Sequence, residues 1–394
     1  MFRMAVGHSD DIDFDAALNA VLEQCEAALA GATPKAALLL AAWDLDHQRA
    51  VDAIRARYPG IQLAGTSTGG EMSSVIGYQQ DSLEVALFAS DVVDITAGLG
   101  RGIGADPVGA VTAAIAEARR GTTLAPSLCI VMPSIGLVDA ARILDALRAD
   151  LGPNVPILGG GASPQNPVAD PAATSGLEFA GDSVIDGGIS ILLFSGPLDF
   201  SFGVETGWRG VGPRATVTKV AADGRVEEID GHRAVEFFDR YLGSSVGQPP
   251  PIANPLAVFD ANDETAFYLR TATNLDQESG SVAFFGALPQ GSTIQLTVAA
   301  TDEIVEGARA SISDALARFP GGRSPDAALL WSCATRRYLL GTRTGREVDI
   351  VRSTVGAATP IAGFYCLGEI APIVAGDVSQ FHNATMVAVL LGAR

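Results

Sequence analysis

Hydrophobic positions along this chain follow two periods that alternate in a fixed order. From Asp13 to Ala30 the apolar residues Phe14, Leu18, Val21, Leu22, Cys25 and Leu29 fall three and four apart, which lines one face of a helix. Gly31 follows as a stop. An unbroken apolar run from Ala36 to Trp43 predicts a buried strand, and Val51 to Arg57 a helix. A short strand then enters the loop Ala64-Gly65-Thr66-Ser67-Thr68-Gly69-Gly70-Glu71, and alternation from Ser82 to Phe88 predicts a closing strand.

The same order returns twice. Ser127 to Met132 reads as a strand, Asp139 to Leu151 as an amphipathic helix, and Val155 to Leu158 as a strand running into Gly159-Gly160-Gly161-Ala162, with Ile189 to Phe194 closing. Near the C-terminus come Ala327 to Trp331, a helical or irregular segment to Val355, Pro360-Ile361-Ala362 into Gly363, and Thr385 to Leu391. The sharpest echo pairs Ala64-Gly65 and Gly70-Glu71 with Ala362-Gly363 and Gly368-Glu369, which predicts equivalent places for the two loops. Strand-like runs at Phe200 to Val204, Thr216 to Val220, Leu256 to Phe259, Val282 to Phe285 and Thr293 to Ala299 read as antiparallel. The expectation is an α/β fold of mixed sheets with internally repeated strand-helix-strand units. A junction near Ala222-Asp223-Gly224 divides it into two domains, 1–222 and 223–394, the second opening on a helix from Glu227 to Leu242. Gln248-Pro249-Pro250-Pro251 reads as a rigid loop.

Composition narrows the function classes. Of 394 residues 48% are apolar and 18% charged, against a usual charged share of about 25%, so the chain as a whole is not disordered. The 45 acidic and 26 basic residues leave a net charge of −19 with no basic stripe, so no nucleic-acid partner is expected. Arg119-Arg120, Arg336-Arg337 and Arg343 with Arg346 read as solvated faces. Ala36 to Trp43 is far shorter than the ~20 residues of a membrane span, and Asp10, Asp11, Asp13 and Asp15 stand where a signal peptide would be basic and then apolar. A cytoplasmic protein with no membrane partner is the reading. Cys25, Cys129, Cys333 and Cys366 contain no C-x-x-C pair, which suggests neither a zinc site nor a disulfide framework.

Several local patterns carry candidate chemistry. Gly100-Arg101-Gly102-Ile103-Gly104-Ala105 fits G-x-G-x-x-A, but the next strand ends without an acid for a ribose, so it reads as a glycine-rich connection. Gly159-Gly160-Gly161 lacks a following Lys-Ser/Thr and reads as close packing. Among the histidines, His8 is assigned to a mobile terminus and His47 and His232 to the surface. His382, in Gln380-Phe381-His382-Asn383-Ala384-Thr385, stands at the mouth of the last strand, where a pocket is expected; it is a candidate metal ligand or a hydrogen-bonding residue. Cys333 and Arg336 follow the strand Ala327 to Trp331, at an edge where binding groups gather. Cys333 with His382 and Glu369 could form a thiolate–imidazole–carboxylate triad, or be inert packing.

Taken together, the Ala64-to-Glu71 loop, Pro156 to Ala162, Val226-Glu227-Glu228-Ile229-Asp230-Gly231, Ser332-Cys333-Ala334-Thr335-Arg336, Ala362-Gly363-Phe364-Tyr365 with Gly368-Glu369-Ile370, and His382-Asn383-Ala384-Thr385 resemble the paired N- and C-terminal FIST domains from about Lys35 to Leu391. Cys366-Leu367 departs from the threonine and aromatic residue of that pattern. The resemblance implies an intracellular sensory domain for a small ligand in signal transduction. Chains of this length are also similar to bacterial nitric-oxide-sensing haemoproteins that regulate a partner histidine kinase. That likeness implies haem held by His382, a propionate or carboxylate met by Arg336, Asn383 and Glu369 as orienting groups, Tyr365 as a wall and Cys333 alongside. Two alternatives stay open: a haem-free FIST sensor of an amino-acid-like or other small organic ligand, again using Arg336, and an enzyme that uses Cys333. A sensor without catalysis is the leading expectation.

The charge balance makes a first prediction. Micromolar protein should leave generic duplex DNA unshifted in a gel assay at low salt; a salt-sensitive shift would reveal a basic surface that the sequence does not show.

Overall fold

The strand Ala36–Ala42 is buried along its whole length, so it must lie inside a sheet covered on both faces. A computed structural model, which describes residues 1–164, 175–243, 251–260, 266–373 and 376–393, places it there. Gln62–Thr68 lies parallel to it on one side and Leu83–Ser90 antiparallel on the other, with Phe2–Ser9 beyond. The crossover between the parallel strands is the helix His47–Arg57, whose first turn is capped by the Asp46 carboxylate on the Arg49 amide at 3.1 Å.

Two further sheets repeat this plan strand for strand. Asp94–Arg101, Gly188–Ser195, Pro126–Pro133 and Ile157–Gly160 form the second; Leu198–Glu205, Met386–Ala393, Ala327–Cys333 and Ile361–Cys366 form the third. Each is completed by a hairpin from another repeat. The first repeat sends Glu71–Ser73 and Gly77–Gln79 to the third sheet, the second sends Leu177–Ala180 and Ser183–Asp186 to the first, and the third sends Glu369–Pro372 and Ser379–His382 to the second. The two echoing loops therefore do hold equivalent places, and the Gly159 segment is the third member of the set. A side-chain carbon on Gly65, Gly159 or Gly363 would lie 2.0, 2.0 or 2.3 Å from the carbonyl oxygen of Leu39, Val131 or Leu330. Only glycine permits that approach.

Strand alternation then divides the apolar residues between two kinds of core. Leu38, Phe88, Ile130, Phe194, Leu329 and Trp331 meet in one core shared by all three sheets. The opposite faces pack on their own helices: Leu39 with Val21 and Val51, Val131 with Val111 and Leu147, Leu330 with Ile312 and Val351.

The third repeat is interrupted. Between Leu198–Glu205 and the helix Thr301–Arg318 the chain builds an eight-stranded antiparallel sheet, from Arg209–Val220 to Thr293–Val298, over a separate core that includes Val217, Phe238 and Leu296. This inserted domain holds four of the antiparallel strands read from the sequence; the fifth, Phe200 to Val204, lies in the third sheet of the body, antiparallel to Met386–Ala393. Ala222-Asp223-Gly224 forms the turn between Arg209–Val220 and Val226–Ile229, closed by the Arg225 carbonyl on the Ala221 amide at 2.8 Å. Strands from both sides of that turn share sheets in the main body, as Leu198–Glu205 does with Met386–Ala393. The helix expected from Glu227 begins only at Ala234, because Val226 and Ile229 enter the domain core as a strand and left-handed Asp230 and Gly231 turn the chain. Gly100 lies within the strand Asp94–Arg101, where its missing side chain admits the Ala110 carbonyl. The proline loop, Pro251 aside, lies outside the described residues. No helix among those residues is long and apolar enough to cross a membrane.

The glycine contacts give a direct stability test. Gly65→Ala should destabilise by about 3 kcal/mol or block folding, since carbonyl and methyl cannot share the space. Gly345→Ala, at φ −59° facing open space, should stay within about 0.5 kcal/mol. Urea unfolding of both variants decides it, and equal costs would refute the close strand approach.

Candidate functional site

The strand Ala327–Cys333 runs directly into the helix Ala334–Leu340, and this turn carries Arg336 back into the body. Its guanidinium is fully buried. Nε and NH2 donate to one Glu347 oxygen at 2.9 and 2.5 Å, NH2 also donates to the Ile304 carbonyl at 2.8 Å, and NH1 donates to the carbonyls of Thr206 and Ala384. All five of its N–H groups thus have protein acceptors. The second Glu347 oxygen accepts from Ser332 Oγ at 2.9 Å and the Tyr365 hydroxyl at 2.5 Å. Burial and the Glu347 charge push the Tyr365 phenol well above its usual value. Arg336 and Tyr365 are therefore brought together, but as a closed internal network, and the reading of Arg336 as solvated is corrected. Sequence reasoning missed Glu347. The signal was there: it lies on the same helical stripe as Val348, Ile350 and Val351, a place where a carboxylate needs a buried partner.

Glu369 anchors a second cluster. It accepts from Cys366 Sγ at 3.2 Å and from the Thr385 amide at 3.1 Å, and burial raises its carboxyl to about 8. Cys333 lies against the same carboxyl, and burial pushes its thiol up to about 12. His382 stands opposite Glu369 across the hairpin, yet its Nε2–H donates to the Ala371 carbonyl at 2.9 Å. No hydrogen bond joins the imidazole to Cys333 or Glu369 among the described residues, so the three do not assemble as a triad. Burial, with the Arg270 charge acting in the same sense, lowers His382 to about 4. Its ring is neutral at physiological pH, with a lone pair on Nδ1. Asn383 holds the inserted domain: its Oδ1 accepts from the Thr271 amide at 2.9 Å while Nδ2 donates to the His382 carbonyl.

The other two exchanged hairpins carry buried carboxyls as well. Glu71 accepts from Thr68 and Ser82, and Glu178 from Ser134 Oγ at 2.5 Å and the Gly188 amide at 2.7 Å; burial raises them to about 7 and about 8. Glu84 is enclosed, and burial followed by the Glu71 charge raises it well above the carboxylate range. His8 is no mobile residue. It lies buried in the strand Phe2–Ser9, between Ser73 Oγ at 2.7 Å and Ser82 Oγ at 2.8 Å, and burial lowers it to about 3. His47 is buried too, bonded to the Ala42 carbonyl at 2.8 Å and stacked on Phe179, whereas His232 is exposed. Among the described residues no three His, Cys, Asp or Glu side chains converge as metal ligands.

Where the inserted domain meets the body, His382, Thr385 and Glu205 face Phe267, Tyr268 and Leu269 across a cavity of about 190 Å³. Haem does not fit these residues as they stand. The cavity is below the ~300–1,000 Å³ of drug-sized sites, Nε2 of His382 is bound to a carbonyl, and Arg336 has no free donor for a propionate. A small molecule with hydrogen-bonding groups fits the neutral imidazole, the two polar side chains and the aromatic wall.

Residues 35–232 match the FIST N domain and residues 234–372 the FIST C domain. The chain belongs to the FIST family. FIST domains are sensor domains of signal transduction. The uncharacterized protein Rv0628c of Mycobacterium tuberculosis is 24% identical over 399 residues, covering 98% of each chain. The uncharacterized protein Mb0898c of Mycobacterium bovis is 27% identical over 120 residues, 30% of each chain. Two solved structures of cyanuric acid hydrolase, one from A. caulinodans, align over 100% of both chains with TM-scores of 0.38 and 0.36 at 11% and 10% identity. At that level the likeness says nothing about activity.

The buried titrating groups set the pH dependence of this FIST protein. Glu71, Glu178 and Glu369, ordinarily near 4.5, keep their protons in the fold up to about 7 to 8. The folded chain then binds more protons than the unfolded one, so their contribution is complete below 4.5 and is lost as pH rises to about 8. His8 and His382, ordinarily 6.5 and here about 3 and about 4, act oppositely, losing stability as pH falls below 6.5. Between pH 6.5 and 8 the carboxyls dominate, so the urea midpoint should fall, and Glu178→Gln should make that fall shallower. Equal slopes in wild type and variant would show that Glu178 is ionised in the fold.

Proposed function

We propose that this FIST protein is a haem-free sensor that binds a small organic molecule in the seam between body and inserted domain and passes the signal to a partner, a histidine kinase or another signalling protein. One observation carries the reading: in a single segment His382 and Thr385 face the seam cavity, while Asn383 between them holds the inserted domain through the Thr271 amide. A ligand there touches the contacts that fix the two parts relative to each other, which is what a sensor needs. The Nδ1 lone pair and the Glu205 carboxylate accept from donor groups, as does the Thr385 hydroxyl, whose own proton goes to the Asn383 carbonyl at 2.8 Å, and Tyr268 and Phe267 cover an apolar body. Binding rather than catalysis is supported by the thiols: with Cys333 at about 12 and enclosed, the thiolate needed for attack is scarce near neutral pH.

A thermal-shift screen of small amines, amino acids and heterocycles should find a compound that raises the melting temperature of wild type, by the equivalent of about 2.7 kcal/mol at a hundred times its Kd. His382→Ala should abolish the rise, while His232→Ala, at the exposed surface, should keep it. A Soret band that survives purification from haem-supplemented cells and disappears in His382→Ala would restore the haem reading in place of this one.

A further inference from the structure

The seam holds a second cavity, of about 280 Å³, that shares Tyr268 with the first and is walled by Leu144, Val378 and Phe381. Arg270 lines it and is 6% exposed. Its Nε donates to the Ala287 carbonyl and its NH1 to the carbonyls of Leu269 and Phe381, all at 2.9 Å. NH2 has no acceptor among the described residues and is not one of the enclosed orphan atoms, so its N–H groups open onto the cavity. No carboxylate forms an ion pair with this guanidinium among those residues. The contrast with Arg336 is direct: one buried guanidinium has Glu347 against it, the other has only neutral carbonyls and the faces of Tyr268, 4.3 Å away, and Phe381.

A buried cation without a counter-charge is costly, and rings stacked on its faces leave its edge for an anion. The two carboxylates in the wall are already committed. Asp145 pairs with Arg148 at 2.9 Å, and Asp139 caps the helix Ala140–Leu151 through the Ala141 amide at 3.0 Å, reaching Arg270 only at longer range. Arg148, the other cation of the lining, is held by Asp145 and the Ser379 carbonyl; apart from Ser379 and Gln380 the rest is apolar or small, including Ala140, Ala141 and Pro289.

We infer that this cavity binds a small organic monocarboxylate, its carboxylate on the free NH2 of Arg270 and its apolar body against Leu144, Val378 and Phe381. The inference rests on the seam being the sensory region but on a residue separate from His382. Benzoate serves as the probe, with benzamide as its uncharged counterpart and inorganic phosphate as a plain anion. By calorimetry benzoate should bind wild type at least tenfold more tightly than benzamide, and phosphate should not displace it at equal concentration. Arg270→Met, which replaces an unpaired buried charge by an apolar side chain of similar length, should fold and lose at least tenfold in benzoate affinity. Leu144→Trp, which fills the cavity without touching Arg270, should lose it as well. His382→Ala should retain it. Equal binding of benzoate and benzamide, full affinity in both Arg270→Met and Leu144→Trp, displacement by phosphate, or no benzoate binding at all would each overturn the inference. The last result would leave standing any His382-dependent ligand found by the thermal screen, whereas benzoate binding with no such ligand would sink the first reading and keep this one.

Discussion

Each of the three sheets would end on a row of unpaired backbone groups beside Gln62–Thr68, Ile157–Gly160 or Ile361–Cys366 if it relied on its own repeat. An unpaired buried edge is not tolerated. The exchanged hairpins supply the missing ladder, and they do so in a ring, so that no repeat is complete without another. The shared apolar core follows from this, because sheets tied edge to edge in a closed ring must turn one face toward a common centre. The buried carboxyls work at the same places: Glu71, Glu178 and Glu369 sit on or beside the exchanged strands and tie them back to the repeat each comes from through hydroxyl, thiol and amide donors.

Burying charge in such a ring is manageable only where partners are supplied. Arg336 and Glu347 satisfy one another and draw in Ser332 and Tyr365, which makes that cluster a fixed structural element. The carboxyls avoid the problem by holding protons. Arg270 does neither. It is a buried guanidinium open to a cavity with no carboxylate against it among the described residues, at the seam where two separately cored parts meet.

Interruption of the third repeat is what distinguishes its corner from the other two. The hairpins bearing Glu71 and Glu178 end on half-buried outer strands, whereas the one bearing Glu369 also supports the inserted domain through Phe381 and the adjoining Asn383. In the proposed function ligand contact and mechanical connection share one segment, with His382 and Thr385 at the cavity and Phe381 and Asn383 joined to the inserted domain.

Much of this was legible in the sequence. Period-two and period-three-to-four patterns gave the central strands of all three repeats and several of their helices, though not the strand Phe2–Ser9 or the helix Thr301–Arg318; the glycine echoes marked equivalent loops, and the segment from Gln380 to Thr385 was singled out as a pocket mouth. These are local properties, set by which faces of an element can be buried. The tertiary structure alone decided which strands pair across repeats, that Arg336 spends its donors on Glu347, that His8 and His47 are core residues, and that Arg270, a residue with no local signature, faces a cavity. Partner choice for a charge or a strand edge depends on groups far apart in the chain, such as Phe381 and Arg270, or Glu71 and Phe364. A linear pattern records which residues need a partner; only the folded chain determines which partner each one meets.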